Sequence, residues 1–525
     1  MAMGFCPETR SFSNSTYAVI VVNVKINGDY NRNGNPADDP HKADPVTFAG
    51  PKGFVILANN NDSDGDGEPD CDSVSGQYTI RNNDLSDIYQ ICIPKLGIPV
   101  NAIPSGMTVS VQVLHPSNDT ASFDAIIFSA IAISAVGDAE LDFSTPATVG
   151  QTFGGTGTTI FGIEGRTPGN EVRVRLTVKL NGNVLGTDEI RLLVAPFRVL
   201  DNTATASKVY VANAAPVQYW QQFYDDATNA LNSVVAVEEY GSTFIQDSGE
   251  IGAMQSAPGQ ATRKQCTIMG LQGASYQGMI STNIGYFFMD CSDTKGGGGN
   301  IEAAPPVQNF PYGRLVVGST LQSNAKVFLK AQKIQTDNGN LIELPTDWLQ
   351  TGHVDEVMTF VPVGSGFKVL VADLQLAIDL LRTNQTSETE GGFATRAQIL
   401  ATYDANSNRV AAINSYLATV RANLAQGLGL NQNDFIRVPV PFTVVANQAQ
   451  TVLPNMMNMI VVKNAASTRR ILMPEPYFDP FFNDIGVKLT NLGYQSSEIF
   501  TADTRGPHGG GGEAHCASNV RREVP

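Results

Sequence analysis

Three features that define large classes of protein are missing or scarce in this sequence. No run of about 18 or more apolar residues occurs, which excludes a transmembrane helix. Only six cysteines occur in 525 residues, too few for a disulfide framework. Lys and Arg number 34 against 50 Asp and Glu, so the basic surface that follows nucleic-acid phosphates is also missing.

What remains is the composition of an acidic globular protein. Hydrophobic residues make up 42% of the chain, the formal net charge is −16, and the 525 residues are enough for two or three domains. An acidic surface attracts cationic partners such as arginine-rich chains or calcium. Acidity also keeps a protein soluble without a specific partner, so composition alone leaves both interpretations open.

Cysteines and glycosylation sequons bear on the cellular compartment. Cys71 could pair with Cys92, and Cys266 with Cys291, if the compartment is oxidising. Asn-x-Ser/Thr sequons begin at four positions, namely Asn14, Asn61, Asn118 and Asn384. Such sequons also arise by chance, so they favour a secreted, extracellular protein over a cytoplasmic one only slightly.

The first part of the chain, residues 1–194, has the pattern of a β domain. Short β-branched segments occur at Tyr17–Val24, Thr108–Leu114 and Val172–Leu180, and the last two alternate apolar and polar residues as half-buried strands do. Turn clusters rich in Gly, Asn and Pro separate such segments. The pattern predicts an immunoglobulin-like β-sandwich region, in one or two units.

Residues 195–525 mix strand and helix patterns and form the second predicted domain. A helix is predicted over Val217–Ala236, and a longer helical region over Thr395–Gln426. In the longer region Ile413, Leu417, Val420 and Leu424 share one face, which predicts a core-facing stripe. Gly427 and Gly429 would end it. The glycine-rich segment Asp293–Asn300 is predicted to be a flexible loop.

Two acidic loops near the N-terminus have the spacing of calcium ligands. Side-chain oxygens alternate along the first loop, which contains Asp62, Asp64, Asp66 and Asp70, with a glycine where the chain must turn. A fainter copy contains Asp29, Asn31 and Asn33. Calcium takes about six to eight oxygen ligands, and this spacing can wrap them around one ion. The alternative for both loops is a solvated acidic turn.

Three separate segments carry the side chains of a possible catalytic site: Phe244–Glu250, Gly352–Glu356 and Gly511–Cys516. They supply carboxylates, an imidazole, and a thiol that follows a glycine turn. Glycines let the backbone approach a substrate closely, and a thiolate is a strong nucleophile. This set suits attack on a planar, positively charged carbon such as that of a guanidinium.

The segments also resemble one family, the protein-arginine deiminases, in order and spacing. Further stretches look like that family: Val194–Phe197, Asn300–Pro306, Trp348–Glu356, Pro454–Met459 and Glu513–Arg522. The resemblance covers about 195–522 and extends more loosely over the β region. It implies that 195–525 is a five-bladed α/β propeller (pentein) catalytic domain, without the extra N-terminal domain of the vertebrate enzymes.

The resemblance implies a role for each matching residue. Cys516 corresponds to the nucleophile, His353 to the general acid and base, and Asp247 and Asp355 to the two carboxylates that hold the guanidinium. Phe244 stands where the family usually has a tryptophan over the arginine stem. Paired carboxylates suit a guanidinium, because it stays charged and presents donors in a planar fork. The implied product is citrulline, formed through a thiouronium intermediate.

The resemblance also implies calcium in the catalytic domain, and several ions in the whole chain. Gln246, Glu250 and Glu302 correspond to side-chain ligands, and Gly298 and Ile301 to carbonyl ligands. Two departures from the family lie nearby. Ser248 replaces an acidic ligand of a second calcium site, and Met254–Gly285 contains no match to a loop that supplies further ligands and a substrate-gripping arginine.

Three functional hypotheses follow. The first is calcium-dependent citrullination of arginine in proteins or peptides, with no nucleic-acid or membrane partner. The second is deimination of free arginine or another small guanidine. The third is a secreted calcium-binding adhesion or scaffold protein with an inactive site, against which the retained Cys516, His353, Asp247 and Asp355 argue. For the substrate grip, Arg263 and Arg505 are both possible replacements.

Overall fold

The structure is a computed structural model of the whole chain. It describes residues 22, 24–29, 53–57, 73–74, 77–78, 89–94, 96–98, 100–114, 125–129, 141–143, 158–165, 171–214, 217, 219–255, 264–271, 275–279, 284–288 and 294–524. These residues form two compact units, and along the continuous part of the chain the boundary falls between Val194 and Ala195.

The first unit consists of β-strands. They are β1 (Asn27–Asp29), β2 (Gly53–Leu57), β3 (Ser73–Val74), β4 (Gln77–Tyr78), β5 (Tyr89–Pro94), β6 (Met107–Leu114), β7 (Ala125–Ser129), β8 (Leu141–Phe143), β9 (Thr158–Gly165), β10 (Glu171–Leu180) and β11 (Asn183–Ala195). One sheet has the order β1-β5-β9-β7, a second β2-β11-β10-β6-β8, and β3 pairs with β4.

Strand β10 confirms the alternation expected from the sequence, whereas β6 follows it only in part, because Ser110 is buried between two buried valines. They pair antiparallel, with Leu176 opposite Val111. Val172, Val174 and Leu176 of β10 are fully buried, whereas Arg173 between them is exposed. One face of this sheet is therefore a core face. The immunoglobulin-like assignment of the region stays a prediction, and the segment Tyr17–Val24 lies largely outside the described residues.

The second unit contains the remaining strands. They are β12 (Phe197–Val199), β13 (Ala206–Ala212), β14 (Ala236–Tyr240), β15 (Gly249–Gln255), β16 (Lys264–Gly270), β17 (Ile284–Phe288), β18 (Ile301–Ala303), β19 (Leu315–Gly318), β20 (Ile342–Leu344), β21 (Met358–Val363), β22 (Gly366–Asp373), β23 (Phe435–Pro439), β24 (Ile460–Lys463), β25 (Arg469–Pro474), β26 (Ile499–Ala502) and β27 (Ser518–Arg522).

These strands form five small mixed sheets with one repeated pairing scheme. The orders are β12-β15-β16-β17, β14-β13-β27, β18-β19-β20, β21-β22-β23 and β24-β25-β26. In each sheet a central strand has one parallel and one antiparallel neighbour. We call the antiparallel neighbours β15, β18, β21, β24 and β27 the entry strands. No repeat was visible in the sequence, because the shared feature is a pairing scheme and not a residue pattern.

Helices connect these strands. They are α1 (Trp220–Leu231), α2 (Ile245–Ser248), α3 (Ser323–Ala331), α4 (Leu374–Thr383), α5 (Arg396–Ala405), α6 (Ser407–Leu428), α7 (Asp479–Asn491) and α8 (Arg505–Gly509). Mixed sheets with connecting helices give this unit its α/β character. Among the described residues, no helix is both long and apolar enough to cross a membrane.

The helix predictions hold in part. The region predicted over Thr395–Gln426 is two helices, because Asn406 leaves the helical conformation between α5 and α6. The predicted stripe Ile413, Leu417, Val420 and Leu424 is buried in the main apolar core, as expected. Gly429 ends α6 with φ 67°, but Gly427 lies inside the helix. The helix predicted over Val217–Ala236 is shorter, since α1 spans only Trp220–Leu231.

The structure differs from the expected flexible loop at the glycine-rich segment and from the possible Cys266–Cys291 disulfide. The glycine-rich segment is not an open loop: short 3-10 helices form at Thr294–Gly296 and Gly298–Asn300, and the second is buried. Cys266 is a free thiol, so the pairing with Cys291 that the sequence allowed is not formed. Of the two acidic N-terminal loops, Asp29 ends β1, and the other proposed ligands lie outside the described residues.

Candidate active site

The functional side chains predicted from the sequence come from equivalent places in the five sheets. Asp247 precedes the entry strand β15, Gly297–Gly299 precedes β18, and His353–Asp355 precedes β21. Asn458 comes just before β24, and Cys516 just before β27. Each residue or segment is therefore placed by the strand that follows it.

Cys516 is a buried thiol that faces a carboxylate. Its Sγ donates to Asp355 Oδ2 at 3.5 Å, and the side chain is only 4% exposed. Burial, with the negative charges of Asp355 and Asp247, raises the pKa of the Cys516 thiol well above its ordinary value. In this state the thiol is protonated at neutral pH.

The two predicted guanidinium-holding carboxylates have unused acceptors. Asp247 Oδ1 and Asp355 Oδ1 are both buried oxygens that accept no hydrogen bond. Asp247 Oδ1 lies 3.6 Å from His353 Nδ1, an ion pair when the imidazole is protonated. Burial raises the pKa of Asp247 to about 6, although His353 opposes the shift. Unsatisfied buried acceptors are costly, so these oxygens mark a place for a donor-rich cation.

The glycine-rich segment forms part of the wall of this site. A Cβ on Gly299 would lie 2.7 Å from His353 Nδ1 and 2.8 Å from Asp355 Oδ2. A Cβ on Gly297 would lie 2.8 Å from Asp247 Oδ1. Only glycine fits at such distances. The glycines thus serve close packing against the functional side chains.

Phe244 lies beside the Cys516 thiol, and the family resemblance implies that it contacts the substrate stem. A Cβ on Gly512 would meet the Phe244 ring at 2.5 Å and Cys516 Cβ at 3.0 Å. On its other side the ring packs against Trp220, with ring centroids 5.7 Å apart. The glycine turn before Cys516 therefore makes room for an aromatic wall next to the thiol.

The backbone of His353 is held in place by the side chain of Glu356. It caps the 3-10 helix Val354–Glu356, and its backbone N–H donates to Glu356 Oε1 at 3.1 Å. Burial raises the pKa of Glu356 to about 7. The same helix carries Asp355, so the imidazole and one carboxylate of the site share one rigid turn.

His515 links two parts of the site. Its Nδ1 lies 2.9 Å from Asp355 Oδ2, and its Nε2 lies 3.7 Å from Glu302 Oε1. Burial lowers the pKa of His515, but the hydrogen bond to Asp355 and the nearby carboxylates outweigh it and raise the pKa to about 9. The ring is thus a fixed positive charge at neutral pH.

The residues predicted as catalytic-domain calcium ligands meet at a second small pocket. Gln246, Glu250, Ile301 and Glu302 line a pocket of about 30 Å³, which has room for one water-sized species. Burial and the charge of Glu302 raise the pKa of Glu250 to about 8. Burial likewise raises the pKa of Glu302 to about 7. His515 and Arg522 also line the pocket and oppose these shifts, but the effect of burial outweighs them.

Gly298 does not line this pocket. It lies next to the pocket residue Gln246, because a Cβ added to Gly298 would meet Gln246 O at 2.4 Å. In the part of the chain that the structure describes, no three His, Cys, Asp or Glu side chains are arranged to hold a metal ion. The pocket offers the carboxylates of Glu250 and Glu302 and the Gln246 amide, whose Nε2 donates to Glu250 Oε2 at 2.6 Å. Gln246 N–H also donates to Cys516 O at 3.2 Å, which joins the pocket to the thiol.

Sequence reasoning missed one of the residues in contact with the sulfur. Asn458 is 1% exposed, and its Nδ2 donates to Cys516 Sγ at 3.2 Å. It belongs to the segment Pro454–Met459, which carries part of the family resemblance, but a neutral amide has no charge pattern to reveal a role. Of the possible substrate-gripping arginines, Arg505 is held by Asp503, and Arg263 lies outside the described residues.

Comparison with known proteins identifies the family. The family model described as protein-arginine deiminase (PAD) matches residues 184–525. That is more than half of the chain, and the chain therefore belongs to the protein-arginine deiminase family. The match includes all five sheets and every residue of the site described above.

Curated relatives give the same family at low identity. Protein-arginine deiminase type-3 of Rattus norvegicus is 29% identical over 387 residues, which cover 64% of this chain and 55% of the relative. Type-1 of Homo sapiens is 26% identical over 396 residues, covering 65% and 56%. The chain thus spans about half the length of the curated relatives it matches.

Solved structures give weaker likenesses. An agmatine deiminase of C. jejuni is 12% identical with a TM-score of 0.38, covering 63% of this chain and 98% of that one. A cyanobacterial arginine dihydrolase is 11% identical with a TM-score of 0.33, covering 61% and 40%. Because both TM-scores are below 0.5, neither likeness bears on the function of this chain.

Proposed function

We propose that this chain hydrolyses the guanidinium of arginine in proteins or peptides to citrulline and ammonia. One observation carries the proposal: two buried carboxylate oxygens without hydrogen bonds, Asp247 Oδ1 and Asp355 Oδ1, lie in one site with a buried thiol and an imidazole. A guanidinium supplies what those oxygens lack, because it offers charged N–H donors in a planar fork.

Substrate binding would also activate the nucleophile. Without substrate, the carboxylates of Asp355 and Asp247 help to hold the Cys516 thiol protonated. A bound guanidinium neutralises both carboxylates and adds a positive charge near the sulfur. The thiolate then becomes the favoured form, because opposite charge stabilises it.

The reaction proceeds with Cys516 as thiolate and His353 as imidazolium. The sulfur forms a bond to the guanidinium carbon, and a C–N bond breaks as His353 gives its proton to the departing ammonia. The product of this step is a covalent thiouronium. Neutral His353 then takes a proton from water, the oxygen attacks the same carbon, and the C–S bond breaks. The remaining hydroxyl proton passes to solvent or to the released ammonia, which leaves as ammonium overall; citrulline leaves, and thiolate and imidazolium are restored.

Calcium is proposed as the activator, held by the residues of the second pocket. Gln246, Glu250 and Glu302 would be its side-chain ligands, and the carbonyls of Gly298 and Ile301 would add to them. The fit rests on the oxygen atoms that Gln246, Glu250 and Glu302 offer and on the raised pKa values of the two buried carboxylates. When bound, calcium supplies positive charge; the chain's own Gln246–Cys516 backbone contact then fixes the site.

The architecture is part of the same proposal. We propose that the five sheets of the second unit are the blades of the pentein propeller, with the site segments at the starts of the entry strands. The first unit would be an immunoglobulin-like region whose acidic loops at Asp29–Asn33 and Asp62–Asp70 bind further calcium. The physiological partners would be arginine-containing proteins or peptides.

A citrulline assay tests the function. Purified chain is incubated with a peptide containing arginine, or with free arginine, in calcium or in chelator, beside a Cys516→Ala variant. We expect citrulline from the peptide in calcium only, and none from the variant. Preference for free arginine would instead establish a small-guanidine deiminase. No citrulline under any condition would favour the inactive scaffold.

A further inference from the structure

Asn458 makes more contacts with the nucleophile segment than the mechanism above uses. Its Nδ2 donates to Cys516 Sγ at 3.2 Å, and its Oδ1 accepts from the backbone N–H groups of His515 at 2.9 Å and Cys516 at 3.1 Å. All of these contacts are buried or nearly so. One amide group therefore holds both the backbone and the sulfur of Cys516.

The two backbone contacts fix which end of the amide faces the sulfur. An asparagine amide could in general be turned by 180°, which would exchange its oxygen and nitrogen. Here a turned amide would point its N–H₂ at two backbone N–H groups. The N–H of Cys516 would lose its acceptor, and the N–H of His515 would keep only Asn458 O at 3.1 Å. That arrangement is costly. The backbone of His515 and Cys516 thus forces the Asn458 donor towards Sγ.

The position of Asn458 in the fold agrees with an active-site role. It comes just before the entry strand β24, as Asp247 does before β15, Asp355 before β21 and Cys516 before β27. Asn458 thereby gives the β24 sheet a side chain in the site. It is a neutral donor to the sulfur, as is the backbone N–H of Glu513, whereas Asp355 and Asp247 bring negative charge near the sulfur.

We propose that Asn458 is a catalytic residue that stabilises the thiolate form of Cys516 and directs its sulfur through the Nδ2–Sγ hydrogen bond. This inference rests on the proposed function only in taking Cys516 as the nucleophile. A donor favours a charged acceptor over a neutral one, so the contact strengthens when the thiol loses its proton. When the sulfur bonds to carbon it loses that charge, and the contact weakens.

The inference is tested by the pH dependence of Cys516 alkylation, which needs no turnover. Full-length protein is treated with iodoacetamide at a series of pH values, because the thiolate is the reacting form. Trypsin then cleaves after Arg505 and Arg521, which releases a peptide, 506–521, whose only cysteine is Cys516. Mass spectrometry of that peptide gives the alkylation rate at this one site.

Asn458→Ala is the decisive variant, because it removes the donor to sulfur without adding a charge that would itself raise the pKa of the thiol. We expect its alkylation midpoint to rise by at least about one pH unit, which is a tenfold or greater loss of rate below the midpoint. Asn458→Asp, which keeps an acceptor for both backbone N–H groups, should shift the midpoint further in the same direction, because its carboxylate also disfavours the thiolate. Near-ultraviolet circular dichroism shows whether each variant is folded, and Asn458→Asp, compared with the charge-matched control Asn455→Asp, decides the question if Asn458→Ala does not fold.

Asn455→Asp is the matched control. Asn455 lies in the same segment, is 2% exposed, and donates to Glu356 O, with no hydrogen bond to Cys516. Its midpoint should stay within about 0.3 pH units of the wild type, well below the shift expected from losing a donor to a charged group. An equal shift in this control, or no shift in either Asn458 variant, overturns the inference. If the Asn458 variants shift the midpoint but the wild type makes no citrulline, this inference stands and the deiminase proposal is wrong.

Discussion

At the scale of the residue, the two carboxylate oxygens of Asp355 differ in their hydrogen bonds. Oδ2 accepts from His515 and from the Cys516 thiol, whereas Oδ1 accepts from nothing and is buried. His515, with a pKa of about 9, keeps a positive charge against Oδ2 at neutral pH. One oxygen therefore anchors the carboxylate, and the other is kept for a ligand.

Neutralising this carboxylate should reduce catalysis strongly. For Asp355→Asn and Asp247→Asn we expect kcat/KM for a peptide substrate to fall at least thirtyfold, since breaking one partner of a buried charge pair costs about 2–5 kcal/mol. Steady-state citrulline release measures it. Asp404→Asn, which breaks an exposed ion pair with Arg382, is the control and should stay near wild type. Near-normal kcat/KM in either site variant would show that the replaced residue does not hold the guanidinium.

Glu356 should make stability depend on pH. Its folded pKa of about 7 lies above the ordinary 4.5, so the folded protein holds this proton longer than the unfolded chain does. The free energy of unfolding therefore falls as pH rises from about 4.5 to 7. Glu356→Gln has no carboxyl group to titrate at this position, so its free energy of unfolding does not fall for this reason. It still offers an acceptor to His353 N–H. It should be more stable than wild type above pH 7, by on the order of 1–3 kcal/mol.

Urea unfolding at pH 5 and pH 8 checks this expectation. The difference between variant and wild type should be small at pH 5 and larger at pH 8. Glu343→Gln serves as the control because Glu343 is largely exposed, and it should show no such pH-dependent difference. A Glu356→Gln difference that is the same at both pH values would show that the carboxyl titrates normally.

At the scale of the element, the short segments before the entry strands determine the geometry of the site. The 3-10 helix Gly298–Asn300 packs against His353 and Asp355 because its glycines have no Cβ. The 3-10 helix Val354–Glu356 fixes an imidazole and a carboxylate on one turn. Precision here comes from close backbone approach and not from long helices.

Gly299→Ala should therefore damage the site more than the fold. The new Cβ would lie under 3 Å from both His353 Nδ1 and Asp355 Oδ2, so one of them must move. We expect kcat to fall at least tenfold, because small displacements of reacting groups are costly. Gly486→Ala in α7 has open space around its Cβ and should keep full activity. Equal activity of the two variants would contradict a tight wall at Gly299.

The sequence predicted those elements whose pattern is local. The alternation in β10 and the stripe in α6 gave the right element types, because burial on one face leaves a period in the residues. Cys516, His353, Asp247 and Asp355 were named together because each lies in a contiguous motif. The break at Asn406 was missed, since the apolar pattern gives no sign of a conformational change at one residue.

Long-range contacts explain what the sequence could not predict. Gly299 meets His353, and Asn458 meets Cys516, only after separate sheets have formed. A glycine run therefore suggested a loop, and a neutral asparagine suggested nothing. The pairing scheme shared by the five sheets was hidden for the same reason, because it depends on which strands pair and not on a repeated residue pattern.

At the scale of the whole molecule, the second pocket is built from several sheets. Its lining includes Val199 from β12, Glu302 from β18 and Asn519 from β27. A cation there would stabilise the arrangement of these sheets as well as the segment that carries Asp247. Binding to the folded state alone raises stability by mass action.

Calcium should therefore raise both the melting temperature and the activity. Glu302→Ala should increase the half-activating calcium concentration at least tenfold and reduce the calcium-dependent rise in melting temperature, with Glu343→Ala as an exposed control. Magnesium should substitute poorly, because it requires tight octahedral geometry. Calcium titrations of citrulline release and of thermal unfolding measure both effects. Full activity in chelator would remove calcium from the mechanism.

The pairing of β27 with β13 has a consequence for how the protein acquires activity. Val209 near the start of the second unit pairs with Val520 near its end, and Cys516 lies just before that late strand. Joining such distant segments carries a large loop-closure entropy and is a slow step in folding. On the proposed mechanism, an intermediate in which this last strand is still unpaired lacks both the placed nucleophile and His515, which anchors Asp355. Partly folded chains would therefore not react with arginine, and citrullination would begin only when β27 has paired with β13.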